Sequence, residues 1–588
     1  MSDERMTTAR TVTRVLREEG AQFIFGVVGG SNYAVMKGAS QEGIRVVHMR
    51  HEQSAPFAAD AFARCSRTFG ACFLFAGPGY TNASNGITMA YNNRIPMVCV
   101  VNQHPTLCEE KGAGAASFAA EVLRPVSKWT NRLIDTRMAA HMTRRAVQEA
   151  TSYPQGPVVL EIPDNLVTRQ ATSGDQWWNL SGALRRPPSS PAADPNAVED
   201  AVKLLLAAER PVLVSGESVH WDNAAQELRR LAESLNIPVI TRRSSRGAVS
   251  EGHPLAFYGR ARGAILKQAD VALLIGLSLG YLEDYGRWGG NTRFIQLHRG
   301  EADVDTSVRT ELALIGDSKH VLGQMAECAA SLAKTPPPRE KWLEEVQSRK
   351  QAEALRLAND IEKYGSRKPL HPSYLSHEVV NFLDPEATFI FDAFTGSAYL
   401  TERVRSRFSG QVVDTGEWVT VGHGVGMGIG AQLARPGKQV FVMMGDGGIG
   451  IGGFDVETAV RYKQPVVYMI FNNSSWAGAA VEMFWGEDFL LADGSRGNPQ
   501  RITPTRYDHL FAAMGCHTER VEEPAQVRPA LERAFASGKT AVIDAVVDPK
   551  AYHPMILRQG PQHRWLGADG MSDYGRSLAF PERYPAEG

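Results

Sequence analysis

The chain has 588 residues, with 63 Lys and Arg against 64 Asp and Glu, and a formal net charge of −1. That length predicts three or four domains, and the neutral balance excludes a nucleic-acid or anionic-membrane binder, which needs a net basic surface. No apolar run approaches the ~18–20 residues that span a bilayer, and the N-terminus MSDERMTTAR is too polar for a secretory signal, so a cytoplasmic protein is expected. Six cysteines lie scattered without a CxxC pair, which reads as reduced core cysteines and no zinc site.

The first block opens with a predicted helix over Ala9–Glu19 and a strand over Phe23–Val28 that ends in Gly29-Gly30-Ser31. Strand-like runs follow at Arg45–Met49, Ala71–Ala76, Pro96–Asn102 and Gly156–Ile162, separated by helix-length segments. This alternation predicts a parallel sheet with helices on both faces. Ala171–Asp200, rich in Pro, Ser and Arg with Trp177-Trp178, reads as a surface linker. A second α/β block carries runs at Val212–Ser215, Ile237–Ile240, Val271–Ile275 and Thr292–Leu297, then a Pro-rich linker at 334–338 and a charged helix at Lys341–Lys363. The third block gives strands at Thr388–Phe391, Gln439–Met444, Val466–Phe471 and Ala541–Val547, and its element order resembles the first. The expected organisation is therefore three doubly wound parallel-sheet domains at 1–175, 195–335 and 365–549, with a tail at 550–588.

Glycine is abundant, 55 residues against a usual ~7%, and one cluster carries chemistry. Gly445-Asp446-Gly447-Gly448 closes the strand Gln439–Met444, and Asn472-Asn473 closes the strand after the next crossover, with Asn473 27 residues beyond Asp446. Both side chains then reach the same carboxyl edge of a parallel sheet, where such folds bind ligands. An Asp carboxylate, an Asn amide oxygen and a backbone carbonyl are the hard ligands that Mg²⁺ uses beside phosphate oxygens. Gly447 and Gly448 leave N–H groups open to a phosphate at the helix start. The bland alternative is a tight strand–helix turn with a capping Asp.

The spacing resembles the thiamine-diphosphate motif of the acetolactate synthase, pyruvate decarboxylase and oxalyl-CoA decarboxylase superfamily. The resemblance implies a metal site from Asp446, Asn473 and the Ser475 carbonyl. Met49-Arg50-His51-Glu52-Gln53 matches the segment carrying the family's glutamate, which contacts N1′ of the aminopyrimidine and promotes deprotonation of the thiazolium C2. The turn Gly77-Pro78-Gly79-Tyr80-Thr81-Asn82 is similar to the family's GPG-TN turn, placing Gly77 and Asn82 at the cofactor. Val421, 25 positions before Asp446, would support the bent cofactor, with the Val419 carbonyl accepting from its 4′-amino group. Thr395, Gly396 and Ser397 would touch the diphosphate. The resemblance also implies a homodimer or tetramer with Glu52 serving the partner's cofactor, and a small-molecule substrate.

Some family features are missing. After the fourth strand of the middle block come His298-Arg299 in place of a ribose-binding acid, which argues against FAD, and Arg242, Arg243 and Arg246 read as solvated, with an anion as the alternative partner. A nearly side-chain-free stretch, Gly112-Ala113-Gly114-Ala115-Ala116, replaces a substrate-facing Phe-Gln-Glu and implies an enlarged pocket. Candidate substrate residues are Gly29, Gly30, Ser31, Gln103, Gly114 and Trp476. His104, His423 and Glu487 are candidate acid–base groups beside Glu52, each with a structural role as the alternative. Asp455-Val456-Glu457-Thr458 and the tail residues His553, Arg558, His563 and Trp565 resemble the oxalyl-CoA decarboxylase and 2-hydroxyacyl-CoA lyase branch. The expected activity is lyase, carboligase or decarboxylase chemistry on a 2-hydroxyacyl or 2-oxoacyl substrate, with a CoA thioester as one candidate. The alternatives are an acetolactate-synthase-like carboligase on free 2-oxo acids, and a noncatalytic cofactor-binding protein.

Overall fold

A computed structural model of the chain describes residues 5–30, 32–115, 119–172, 175, 190–277, 279–288, 290–476, 488–551 and 553. Three parallel sheets organise it. The first has strands in the order 45–48, 23–26, 70–74, 97–103, 157–163 and 129–132. The third runs 412–414, 388–391, 440–445, 467–472, 541–546 and 517–521. Numbered within each domain, the two orders are the same, 2-1-3-4-6-5, so the resemblance of the first and third blocks is a shared topology. The middle sheet has five strands in the order 239–241, 211–215, 271–275, 293–298 and 310–315.

Central strands such as Met97–Gln103 and Val440–Gly445 are buried along their whole length, the pattern of a parallel sheet covered on both faces. That is why they stand out in the sequence as unbroken apolar runs. Four strands at sheet edges do not. Trp129–Arg132, Thr310–Ile315, Val412–Asp414 and His517–Val521 were not expected, because their exposed positions carry Asn, Glu, Asp, His or Arg. The linker expected through Asp200 gives way at Pro195 to a helix, Pro195–Ala207, whose first amides are capped by Asp194. The crossover after the strand Val440–Gly445 starts as a helix at Asp446 and continues, after a break at Gly453–Asp455, as Val456–Arg461.

The first and third domains share one apolar core, in which Phe57, Ala58 and Tyr80 meet Met427, Ile429, Val442 and Tyr468. Its centre is the helix Gly424–Ala434 lying on the helix Ser54–Ser66. Glycine weakens an isolated helix by ~1 kcal/mol per residue relative to Ala, yet here glycine permits backbone contact. A Cβ on Gly426 would stand 2.7 Å from the Ser54 carbonyl oxygen, and one on Gly430 would overlap the Ala58 carbonyl oxygen. In the duplicated topology these two helices are equivalent elements, each following the second strand of its sheet. The middle domain has a separate core built on Leu213, Leu273, Ile295 and Leu314. The six cysteines are free thiols, and among the described residues no helix is long and apolar enough to cross a membrane.

Candidate cofactor and active site

Asp446 is the first residue of the helix Asp446–Gly452, directly after the strand Val440–Gly445. Its Oδ1 accepts from the Gly447 N–H at 2.9 Å, and its Oδ2 accepts from the Ser475 N–H at 3.3 Å. The same Ser475 N–H donates to Asn473 Oδ1 at 3.1 Å. One amide thus draws an Asp oxygen and an Asn oxygen together at the carboxyl edge of two adjacent strands. Ser474, at φ 53°, makes the reversal that allows this. Burial pushes the Asp446 carboxyl up to about 6 against the downward pull of the Gly447, Ser474 and Ser475 amides. A buried carboxylate beside an amide oxygen, with few positive partners, is a donor set suited to a hard divalent cation. Among the described residues no group of three His, Cys, Asp or Glu side chains forms a metal cluster, so any cation here would rely on amide and carbonyl oxygens.

Opposite the metal loop lies Val421, whose Cγ1 stands 3.4 Å from where a Gly448 Cβ would be. The segment before it is strained: Val419 has φ 51°, an outlier for a β-branched residue. Asp392, at the end of the strand Thr388–Phe391, holds the following turn by accepting from the Gly422 N–H at 2.9 Å and the Gly424 N–H at 3.0 Å. His423 is wholly buried, with Nδ1 2.9 Å from the Thr420 carbonyl and Nε2 3.2 Å from the Phe391 carbonyl. Burial alone would lower its pKa, but the Asp392 carboxylate and those carbonyls raise it above its usual value. His423 therefore clamps the Val421 turn from inside, in keeping with the structural alternative to its candidate acid–base role. Asp392 was missed in the sequence; its signal is its place at the tip of a buried strand.

Glu52 precedes the helix Ser54–Ser66, and its Oε2 accepts from Asn82 Nδ2 at 3.0 Å. The two motifs that suggested a cofactor-activating glutamate are therefore in contact. One helical turn on, Asn85 donates to Thr420 Oγ1 at 2.9 Å and accepts from Trp418 Nε1 at 2.8 Å, joining the GPG-TN helix to the Val419–Val421 segment. Asp455 accepts from the Arg50 and His51 amides at 2.8 and 3.2 Å, so the turn after the Asp446–Gly452 helix also fixes the backbone just before Glu52. In the sequence Asp455 stands out only as a branch marker.

The remaining candidates divide. Trp476 lies over the metal loop, its ring 2.8 Å from where a Gly447 Cβ would be. Ser397 Oγ donates to the Phe394 carbonyl at 2.7 Å, and a Cβ on Gly396 would strike Phe394, so Thr395–Ser397 form a tight turn beside the metal-loop strand. Gly29 and Gly30 pack on the Phe75 ring. Gly77, at φ 61°, faces Ala115, whose Cβ lies 3.0 Å from a Gly77 Cβ, so the glycine-rich stretch abuts the GPG turn; Gly112 and Gly114 face open space. Gln103 and His104 are buried: Gln103 Nε2 donates to Glu161 Oε1 at 2.7 Å, and Gln103 Oε1 lies 2.7 Å from His104 Nδ1. This inward polar chain fits the structural alternative for His104. Ser31, Glu487, Arg558, His563 and Trp565 lie outside the described residues.

The arginines expected to be solvated are instead in ion pairs. Arg242 and Arg243 both meet Glu283, Arg243 also meets Glu417, and Arg246 meets Glu251.

A duplicated α/β fold carries a buried Asp–Asn loop at the carboxyl edge of one copy and a glutamate at the equivalent edge of the other, the two halves of a candidate cofactor site. Family models agree: the chain matches the N-terminal TPP binding domain of thiamine pyrophosphate enzymes at residues 6–120, their central domain at 198–325 and their C-terminal TPP binding domain at 395–545. The chain belongs to the thiamine pyrophosphate enzyme family. Acetolactate synthase large subunit IlvG of Mycobacterium tuberculosis is 32% identical over 94% of this chain and 97% of its own length. Oxalyl-CoA decarboxylase of Escherichia coli K12 and 2-hydroxyacyl-CoA lyase of Arabidopsis thaliana are each 27% identical over 94% of this chain, covering 97% and 98% of their own lengths.

Proposed function

We infer that the chain is a thiamine-diphosphate- and Mg²⁺-dependent enzyme that makes or breaks a carbon–carbon bond beside the carbonyl of a 2-oxoacyl or 2-hydroxyacyl substrate. The observation that carries this reading is the convergence of Asp446 Oδ2 and Asn473 Oδ1 on the Ser475 amide, with Val421 facing the same loop across Gly448. Asp446, Asn473 and the Ser475 carbonyl would hold the cation, and the amides of Gly447 and Gly448 would face the diphosphate. When bound, thiamine diphosphate supplies a nucleophilic carbon that also serves as an electron sink. The chain's part would be to hold that group with Val421, to exclude water with Trp476, and to move one proton. Asn82 occupies Glu52 Oε2, leaving Oε1 to exchange the proton with the aminopyrimidine ring.

A homodimer completes the reading. Around the cradle, Val419, Ile451, Phe454 and Trp476 are 50%, 45%, 66% and 42% exposed. Apolar side chains so placed are suited to burial against a second subunit, whose Glu52 would then serve this cofactor.

Two substrate classes divide the family at this point. The relatives at 32% identity are named acetolactate synthases, which favours free 2-oxo acids. The Asp455–Thr458 wording favours the acyl-CoA branch. Purified protein with Mg²⁺ and thiamine diphosphate, assayed on 2-oxo acids and on oxalyl- and 2-hydroxyacyl-CoA thioesters, separates them. In either case Glu52→Gln is expected to lower turnover at least ~100-fold, the scale of a lost proton transfer, while cofactor still binds. A variant keeping most of its activity would sink the assignment, and absence of cofactor C2–H exchange in the wild type would revive a noncatalytic role.

A further inference from the structure

The first sheet places three turns at one carboxyl edge. Its strands 45–48, 23–26 and 70–74 are parallel neighbours. The turns that follow them, 27–30, 49–52 and 75–79, therefore leave on the side where such sheets take ligands. The second turn ends in Glu52, and the third leads to Asn82, which meets Glu52. The first is tied to the third through Phe75. A Cβ on Gly29 or Gly30 would stand 3.0 or 2.7 Å from the Phe75 ring, and one on Gly79 would stand 3.0 Å from Phe75 Cβ.

Two side chains hold the backbone of turn 27–30. Asn32, wholly buried, accepts from the Gly29 N–H at 2.9 Å and donates to the Val27 carbonyl at 2.8 Å. His48, at the end of strand 45–48, takes the amide between them: the Val28 N–H donates to its Nε2 at 3.1 Å. Asn32 holds at any pH, whereas an imidazole Nε2 accepts only while the ring is neutral, with its proton on Nδ1. Burial and Arg461 hold the His48 pKa below its usual value, against the opposite pull of Asp455 and Glu457, so the ring is neutral at pH 7. Arg50, in the following turn, is paired with Glu457 at 3.4 Å. The His48 backbone is fixed separately, its N–H donating to the Tyr462 hydroxyl at 3.0 Å and its carbonyl accepting from Arg461 at 2.8 Å. The strand end thus keeps its place whatever side chain residue 48 carries, and the ring is left to serve the Val28 amide.

We propose that His48 is a positioning residue for substrate: its Nε2 holds turn 27–30 at the edge that carries Glu52, and lets it go on protonation. This rests on the reading of that edge as half of a thiamine diphosphate active site. The test uses the full-length protein loaded with thiamine diphosphate and Mg²⁺, with pyruvate as the probe, and oxalyl-CoA where pyruvate is not turned over. His48→Ala is expected to raise KM about fivefold, the scale of one hydrogen bond between neutral groups, with kcat and cofactor C2–H exchange unchanged. His48→Gln, whose amide oxygen can accept from the same N–H, is expected to restore KM. The KM of wild type relative to His48→Gln should rise as pH falls below the ordinary histidine value of ~6.5. Hydrogen–deuterium exchange of peptides containing Val28 reads the turn without substrate, and should quicken about fivefold in His48→Ala but not in His48→Gln. Unaltered exchange or unaltered KM in His48→Ala, or a pH profile of His48→Gln that matches wild type, would each overturn the proposal. A wild-type protein without C2–H exchange would sink the active-site reading and the proposal with it, even where exchange at Val28 behaves as expected.

Discussion

At the residue scale, the cofactor cradle is held by groups that touch no ligand. Asp392 is the clearest, since one buried carboxylate takes the Gly422 and Gly424 amides and neighbours His423. Those contacts keep Val419 in a left-handed conformation that its β-branched side chain disfavours. Asp392→Ala is therefore expected to raise the dissociation constant for thiamine diphosphate at least ~10-fold, the scale of two lost backbone hydrogen bonds. A cofactor titration checks it, and unchanged binding would show that the Val421 turn holds itself. Gly114 gives a contrasting case. No atom lies within 4 Å of its Cβ position and its φ is not positive, so a side chain fits without strain. Gly114→Phe should leave the unfolding temperature unchanged and shift the substrate panel toward smaller acyl groups; unaltered selectivity would remove this stretch from the pocket.

The residues legible in the sequence at this scale share one property: their partners are close along the chain. Asp446, Gly447, Asn473 and Ser475 fall within a single crossover unit, so spacing alone brings them together. Asp392 and Asp455 act on backbone 30 and 405 residues away, and nothing in local pattern announces such a partner. His423 and His104 stayed ambiguous for a related reason. A histidine in a glycine-rich or polar setting resembles a site group, whereas these two are buried against carbonyl or amide groups. The paired state of Arg242, Arg243 and Arg246 was hidden as well, because Glu283, Glu417 and Glu251 come from separate segments.

At the scale of elements, the glycine helix Gly424–Ala434 decides how the first and third domains meet. Its glycines lie where ordinary helices carry side chains, and backbone stands against backbone at Ser54 and Ala58. Gly430→Ala forces the two helices apart and is expected to destabilise the protein by ~1–3 kcal/mol, the range for an overpacked core. Chemical denaturation measures it, and a loss well below 1 kcal/mol would mean that the helices shift freely. Since Glu52 and Val421 sit just ahead of these two helices, the same variant should also lose activity under conditions where it stays folded. The sequence revealed the glycine run but not its mate, because the Ser54–Ser66 helix reads simply as an apolar segment.

At the scale of the whole molecule, the middle domain is bound to the rest through a charged knot. Glu402 of the third domain meets Arg260 at 2.9 Å, Arg356 of the long helix Glu340–Tyr364 at 2.8 Å, and His553 at 3.1 Å. Burial alone would raise the Glu402 carboxyl, but His553 and the two arginines hold it down at about 2. A carboxyl depressed below its ordinary value stabilises the fold fully above about pH 4.5 and progressively less as pH falls toward 2. Glu402→Gln is accordingly expected to cost ~3 kcal/mol at pH 7, as for one partner removed from a buried pair, and the gap to wild type should narrow between pH 4.5 and 3. A gap independent of pH would show that charge is not what Glu402 contributes.

The core shared by the first and third domains has a consequence for the way the protein is made. Ala58 is synthesised 366 residues ahead of Gly424, where the helix that covers it begins. At about 5–20 residues per second, the face around Phe57 and Ala58 waits roughly 20–70 s for its mate. The middle domain, with its own core, emerges during that interval and can fold at once. The order of burial thus departs from the order of synthesis: the second domain closes first, and the first and third close together near the end. Through that wait the N-terminal third is the part of the nascent chain with an uncovered apolar face. A neighbouring ribosome's product offering the same glycine helix is its competing partner, so the yield of correctly assembled protein is set by translation speed and crowding as well as by the stability of the finished fold.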